Sequence, residues 1–162
     1  MCAMNTDRIS VVKPTVEHLG PLIDLFSDPK VRQFLGGPLS RAKAAGKAKH
    51  ITSNPNAFHW SVVDRSNTFL GFIEVSEHHD SVDLEISYQF LPNFWAKGYA
   101  FESLEKVLKH LFEKEGIEKI LAETQAKNSR SIKLLKKLGF REFKQLRRFE
   151  ESQLLFIKHL GE

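Results

Sequence analysis

The chain of 162 residues contains one cysteine, Cys2, and no uninterrupted apolar run longer than a few residues. A lone cysteine cannot close an internal disulfide or supply a thiolate cluster for a metal, so both frameworks are excluded and a reducing, cytoplasmic setting is the expectation. The apolar runs fall far below the ~20 residues a membrane helix needs, and no basic segment followed by an apolar stretch opens the chain. No membrane association is expected. Internal repeats, low-complexity stretches and Pro/Gly/Ser-rich linkers are also missing, which leaves a single domain over residues 1–162 with a flexible end at 1–7. His78-His79 is the one pair that suggests metal binding, but no third ligand has suitable spacing and hairpin tips favour exposed polar residues; no metal is expected.

Charge is unevenly spread. The net charge is +4, yet residues 127–148 carry nine basic side chains, from Lys127 to Arg148, against one acid, Glu142. That segment is +8 and the remainder −4. Such asymmetry fits a polyanionic partner, either nucleic acid or a phosphorylated cofactor, and fits equally a solvated basic face. No helix-turn-helix, RNP-type aromatic strand or zinc-finger spacing accompanies it, so nucleic acid is the disfavoured partner.

Hydrophobic periodicity orders the rest. Arg8–Lys13 reads as a short strand stopped by Pro14, and Thr15 caps a helix whose apolar face is Val16, Leu19, Leu22, Ile23 and Phe26. Asp28-Pro29 starts a second short helix through Leu35, ended by Gly36-Gly37-Pro38. Residues 40–53 suit an exposed helix or a movable lid. Period two then sets in, with strands at 58–63, 69–76 and 83–90; in the last, Leu84, Ile86, Tyr88 and Phe90 face one way and Asp83, Glu85, Ser87 and Gln89 the other. Ala100, Leu104, Val107, Leu108, Leu111 and Phe112 form one helical stripe closed by Gly116. A strand at 119–124, a helix opened by Asn128 or Ser129 and closed by Gly139, and strands at 140–146 and 153–160 follow. The order predicts an α+β fold around a mixed sheet.

The segment from Leu91 to Ala100 joins the best strand to the best helix. Backbone N–H groups of such a turn, continued by those of the first helical turn, form a cradle for anionic oxygens, and Gly98 lets a ligand approach closely. The Gly-Lys-Ser/Thr ending of a Walker loop and the three glycines of a dinucleotide fingerprint are both absent.

Trp95-Ala-Lys-Gly-Tyr-Ala100 after Tyr88-Gln-Phe90, followed by Asn128-Ser-Arg-Ser131 and Leu138-Gly-Phe140, resembles the GNAT superfamily of N-acetyltransferases, in its Rim-type branch of ribosomal-protein N-terminal acetyltransferases. The resemblance covers nearly the whole chain. It implies a central, mostly antiparallel twisted sheet of about seven strands, flanked by helices and splayed at the cofactor site. It further implies that acetyl-CoA is the co-substrate, with its pyrophosphate on the N–H groups of Ala96, Lys97, Gly98, Tyr99 and Ala100, and its pantetheine arm on Phe90, Leu91 and Asn128. Trp95 replaces the superfamily's usual Gln or Arg, and Ala96 stands where the branch often has glycine; backbone donors survive both changes. The tyrosine that many branches use as general acid aligns with Leu135, which leaves Ser131 as the candidate beside the thiolate.

Acetyl transfer to nitrogen needs a neutral amine, a route for its proton, and stabilisation of the departing thiolate. Glu85, on the polar face of the strand leading to the turn, is the candidate base, directly or through water, and Glu74 on the adjoining strand is the second. A cross-strand ion pair is the plain structural reading of Glu85, a helix N-cap that of Asn128, and a small helix-face residue that of Ser131. The expected acceptor is a primary amine, either a protein N-terminus or a small molecule, held by residues 28–53 and the last hairpin. A CoA-binding sensor without catalysis is the competing function, and monomer and homodimer are both compatible with the sequence.

Overall fold

The strand with the sharpest alternation in the sequence lies inside an eight-stranded sheet. The structure, a computed structural model, describes residues 4–80 and 82–162, so Cys2 falls outside it. In chain order the strands are β1 (Met4–Asn5), β2 (Ile9–Val12), β3 (His59–Asp64), β4 (Phe69–Glu77), β5 (Leu84–Phe90), β6 (Lys119–Gln125), β7 (Arg141–Arg148) and β8 (Glu151–His159). The helices are α1 (Leu19–Ser27), α2 (Arg41–Thr52), α3 (Tyr99–Glu113) and α4 (Ser129–Lys137). Across the sheet the order is β1-β2-β3-β4-β5-β6-β8-β7. Every neighbouring pair is antiparallel except β5 and β6, which run parallel.

That exception positions the site. β5 is laddered to β4 from Leu84 to Phe90, and β6 to β8 from Lys119 to Gln125, but β5 and β6 meet at one register pair, Glu85 with Leu121. The sheet therefore opens towards the C-terminal ends of both strands. Helices cover both faces. Leu104, Val107, Leu108 and Leu111 of α3, with Leu135 of α4, pack on Ile73, Ile86, Ile120 and Phe156. From the other side, Leu22, Leu25 and Phe26 of α1 and Ala44, Ala48 and Ile51 of α2 pack on Phe69 and Phe72. Phe72 and Ile73 alternate along β4, which is how one strand serves both layers.

Several expectations are corrected. The sheet has eight strands rather than about seven, because Met4 and Asn5 pair with Val11 and Ser10. Residues 4–7 of the expected flexible end are tied down by that pairing, and by Arg65, which donates to the carbonyls of Thr6 and Asp7 at 2.7 and 2.6 Å. No helix forms after Asp28. Its Oδ1 instead accepts from the N–H groups of Lys30 and Val31 at 2.7 and 3.0 Å, and Arg32 donates to the carbonyls of Leu35 and Gly37. The result is a run of turns closed by Gly36 and Gly37, both at positive φ. Val16 lies off the buried face of its helix and is exposed, while α2, read as exposed, buries its small residues against α1. Phe143 and Phe149 are exposed.

Gly71 shows how tightly the end of β5 is held. A Cβ there would lie 2.5 Å from Phe90 Cδ1 and 2.6 Å from the Gln89 carbonyl oxygen. Gly71→Ala is expected to cost about 1–3 kcal/mol in urea unfolding, the usual scale of overpacking. A wild-type midpoint would show that Phe90 has room to turn aside.

Candidate functional site

The turn between β5 and α3 has the form of an anion cradle. Ala96 and Gly98 both have positive φ, 58° and 82°, on either side of Lys97, a left-handed alternation that turns successive N–H groups towards one concavity. Ala96 carries the strain of a left-handed L-residue, which gives a physical reason for glycine at such a place. The first hydrogen bond of α3 runs from Glu102 N–H to Gly98 O. Upstream of it, the N–H groups of Ala96, Lys97, Gly98, Tyr99 and Ala100 meet no backbone acceptor among the described residues. Residues 96–98 are exposed, and only the Arg8 guanidinium, at 3.3 Å, would lie near a Gly98 Cβ. Five free donors, a helix N-terminus and a nearby arginine suit a pyrophosphate.

Arg8 is held in place by pairing with Glu102 and by stacking over the Tyr99 ring at 4.5 Å. Burial raises the Glu102 pKa, but hydrogen bonds from Thr6 and Arg8 outweigh it and leave the carboxyl below its ordinary value. Trp95 donates its indole N–H to the Phe90 carbonyl at 2.7 Å, and the Arg130 guanidinium lies 4.3 Å from its ring centroid. Trp95 thus joins the turn to β5 and, through Arg130, to the first turn of α4. The Leu91 N–H is taken by the Leu70 carbonyl at 2.9 Å.

Across the split, Asn128 is the N-cap of α4: its Oδ1 accepts from the Ser131 N–H at 3.2 Å. The structural reading of Asn128 therefore holds, and its amide NH2 stays free to donate. Ser131 Oγ is 2.5 Å from the hydroxyl of Tyr88, on β5. Burial pushes the Tyr88 phenol up to about 12, against the opposing effect of the Ser131 hydrogen bond. Leu135 is fully buried in the core and offers no group to the site.

Glu85 lies on the other face of β5, where α1 and α2 pack. Its Oε2 accepts from the Glu123 N–H at 3.3 Å across the one register where β5 and β6 are joined. Burial raises its pKa, with the neighbouring Glu123 adding to this and His78 opposing it. Glu74 is half-buried and sits diagonally from Glu85, opposite Ser87. No cross-strand ion pair forms at Glu85 among the described residues.

His78 corrects the expectation of an exposed hairpin tip. It is buried, its Nε2 lies 2.8 Å from Glu123 Oε1, and Arg148 holds the other Glu123 oxygen at 2.9 Å. Arg148 also forks onto Asp80, whose carboxyl it lowers. No group of three metal-ligating side chains forms among the described residues. This network also accounts for part of the basic segment: Arg148 is paired internally, Lys127 pairs with Glu151, and Arg130 and Lys137 lie over Trp95 and Phe101. Sequence reasoning missed Tyr88, His78, Glu123 and Arg148 as site neighbours. An open cleft of about 380 Å³ separates Asp28–Lys30 from Leu91–Phe94, placing the first of the expected acceptor residues beside the start of the turn.

Comparison with known proteins agrees with this fold. The family described as "Acetyltransferase (GNAT) domain" matches residues 8–141. An uncharacterized N-acetyltransferase p20 from Bacillus licheniformis is 25% identical over 162 residues, covering 94% of this chain and 90% of that protein. A GNAT-family acetyltransferase structure from Bacillus anthracis superposes with a TM-score of 0.86 at 20% identity, covering 99% of this chain and 100% of that one. The ribosomal-protein-S5-alanine acetyltransferase of Vibrio fischeri gives 0.81 at 14% identity, covering 100% and 98%. The spermidine N-acetyltransferase of Vibrio cholerae, solved with CoA and spermine, gives 0.82 at 15%, covering 95% and 96%.

Gly98→Val is expected to raise the dissociation constant for CoA at least ~10-fold in isothermal titration, because a β-branched residue at this φ distorts the turn and fills its mouth. The same change should cost about 1–2 kcal/mol of stability. Unchanged affinity in a folded variant would remove the cradle assignment.

Proposed function

The chain belongs to the GNAT acetyltransferase family and is an acyltransferase; we propose that it transfers the acetyl group of acetyl-CoA to a primary amine by direct attack in a ternary complex. The observation that carries this reading is the free N–H run from Ala96 to Ala100, at the open end of a sheet split between β5 and β6. The cradle takes the pyrophosphate. The parted strand end at Phe90 and the Asn128 amide then guide the pantetheine arm towards Ser131; Leu91, whose N–H and carbonyl are taken by Leu70 and Phe94, offers it no backbone group.

On the far face of β5, Glu85 receives the amine proton, directly or through a water. A carboxylate whose pKa is raised by burial is a better base near neutrality than an ordinary one. It also complements an arriving ammonium, which must lose a proton before it can attack. The attack makes the N–C bond and breaks the C–S bond. Arg8, and the part of the basic segment not paired internally, offset the phosphate charges. The acceptor is a protein N-terminus or a small-molecule amine, since fold neighbours include both a ribosomal-protein acetyltransferase and a spermidine acetyltransferase. An acetyl-CoA consumption assay across N-terminal peptides, polyamines, amino acids and aminoglycosides tests this directly: saturable turnover with one amine class supports it, and none with any amine contradicts it.

Glu85→Gln keeps the hydrogen bond from the Glu123 N–H but cannot accept a proton. It is expected to lower kcat ~10²-fold with acetyl-CoA affinity unchanged, and to abolish an acidic limb that in the wild type lies above the ordinary Glu value of about 4.3. The stability effect has the opposite sign. A carboxyl whose folded pKa is raised favours folding below its unfolded pKa and loses that contribution as pH rises through the folded pKa. The variant should therefore melt at or above the wild-type temperature at neutral pH, with the difference vanishing in acid. A wild-type rate and pH profile would retire Glu85 as the base, leaving Glu74→Gln as the variant to measure.

A further inference from the structure

Tyr88 sits on the core side of β5, two residues before the strand ends, and reaches across the split to α4. Its hydroxyl meets Ser131 Oγ at 2.5 Å, the one side-chain hydrogen bond between β5 and α4 among the described residues. Ser131 is itself located by the Asn128 side chain, which accepts its backbone N–H. The charged side chain nearest in sequence, Arg130, is turned away onto the Trp95 ring. A phenol is the stronger acid of the two hydroxyls, so Tyr88 is the natural donor of the pair and Ser131 the acceptor. A serine hydroxyl that accepts one bond still has its own O–H to give, and that hydrogen rotates freely.

We infer that Tyr88 and Ser131 work as one donor pair for the departing sulfur of CoA, Tyr88 donating to Ser131 Oγ and Ser131 donating to the thiolate. The inference rests on the transferase reading above and supplies what Leu135 cannot. Ser131 touches the reacting sulfur, and Tyr88 is a positioning residue behind it. Neither gives up its proton. A phenol pushed up by burial is a weaker acid than a thiol near ~8.5, so proton transfer from Tyr88 to the thiolate runs uphill. The N–C bond forms as the C–S bond breaks, the electron pair leaves on sulfur, the amine proton passes to Glu85, and solvent later protonates the thiolate. The pair thus lowers the thiol pKa of bound CoA by stabilising its anion, as donors aimed at developing charge do elsewhere.

The test follows the ultraviolet absorbance of the thiolate of bound CoA against pH, with desulfo-CoA as a ligand lacking the sulfur. In the wild type, the bound thiol should titrate below free CoA. Ser131→Ala should raise that value by about one unit and lower kcat ~10- to 10²-fold. Tyr88→Phe should raise it by less, and the double variant should match Ser131→Ala, because Tyr88 acts only through Ser131. Affinity for desulfo-CoA should not change in any of them. A Tyr88→Phe protein that melts like the wild type and leaves both the thiol pKa and kcat unmoved overturns the inference, as does a double variant whose shift is the sum of the two. Absence of saturable CoA binding to the wild type would overturn the transferase reading and this inference with it, an outcome distinct from normal binding with an unmoved thiol.

Discussion

Beyond Glu85 and Leu121 the backbones of β5 and β6 part, and the N–H and C=O groups that would have joined them must find other partners. A buried backbone group without a partner costs about 1–3 kcal/mol, so a split sheet persists only where side chains, water or a ligand take over. The Trp95 indole takes the Phe90 carbonyl, and Tyr88 and Ser131 tie β5 to α4 across the gap. The next segment of chain leaves its own donors free in the turn at 96–100. Because a parallel pair needs a crossover, α3 lies between β5 and β6 in sequence, and its N-terminus falls at the open end of the split. Cradle and cleft are therefore consequences of one topological choice.

The opposite face is organised by buried charge. Glu123 carries a hydrogen bond from Arg148 and contacts His78, while its backbone N–H supports Glu85. Asp80 completes the fork on Arg148. Three strands, β5, β6 and β7, and the loop between β4 and β5 are fixed together by these contacts. Removing one partner from such a cluster leaves a buried charge uncompensated, which costs more than the cluster gains as a whole. The Glu85 carboxylate is thereby held at the seam between the two halves of the sheet, without an ion-pair partner among the described residues. Burial is what raises its proton affinity, with the Glu123 carboxylate adding to it and His78 opposing it.

Elements governed by local pattern were legible in the sequence: α3 from its stripe, β5 from its alternation, and the turn at 91–98 from Gly98 and the residues around it. What escaped depends on partners distant in the chain. The exception is local: Asp28-Pro29 opens a helix and an Asx turn with the same residues, and here irregular bonds within three to five positions, from Arg32 to the carbonyls of Leu35 and Gly37, accompany the turns. Met4 and Asn5 are too few to show a period, so their strand exists only by pairing with β2. His78 reads as a polar hairpin tip until Glu123 and Arg148, from later strands, close over it. Tyr88 reads correctly as a core-facing residue, but its ring position does not tell where its hydroxyl ends. Asn128 was legible as the N-cap of α4 because a cap is a local device.

The central claim is that the free N–H groups of the turn and the parted edge of β5 together receive CoA. Amide-resolved hydrogen exchange, with and without saturating CoA, measures this at those groups themselves. The account predicts slowed exchange at residues 96–100 and along the end of β5, with the amides of α2 and the β7–β8 hairpin unchanged. Saturable CoA binding that protects other amides and leaves residues 96–100 exchanging at their free rate would contradict it.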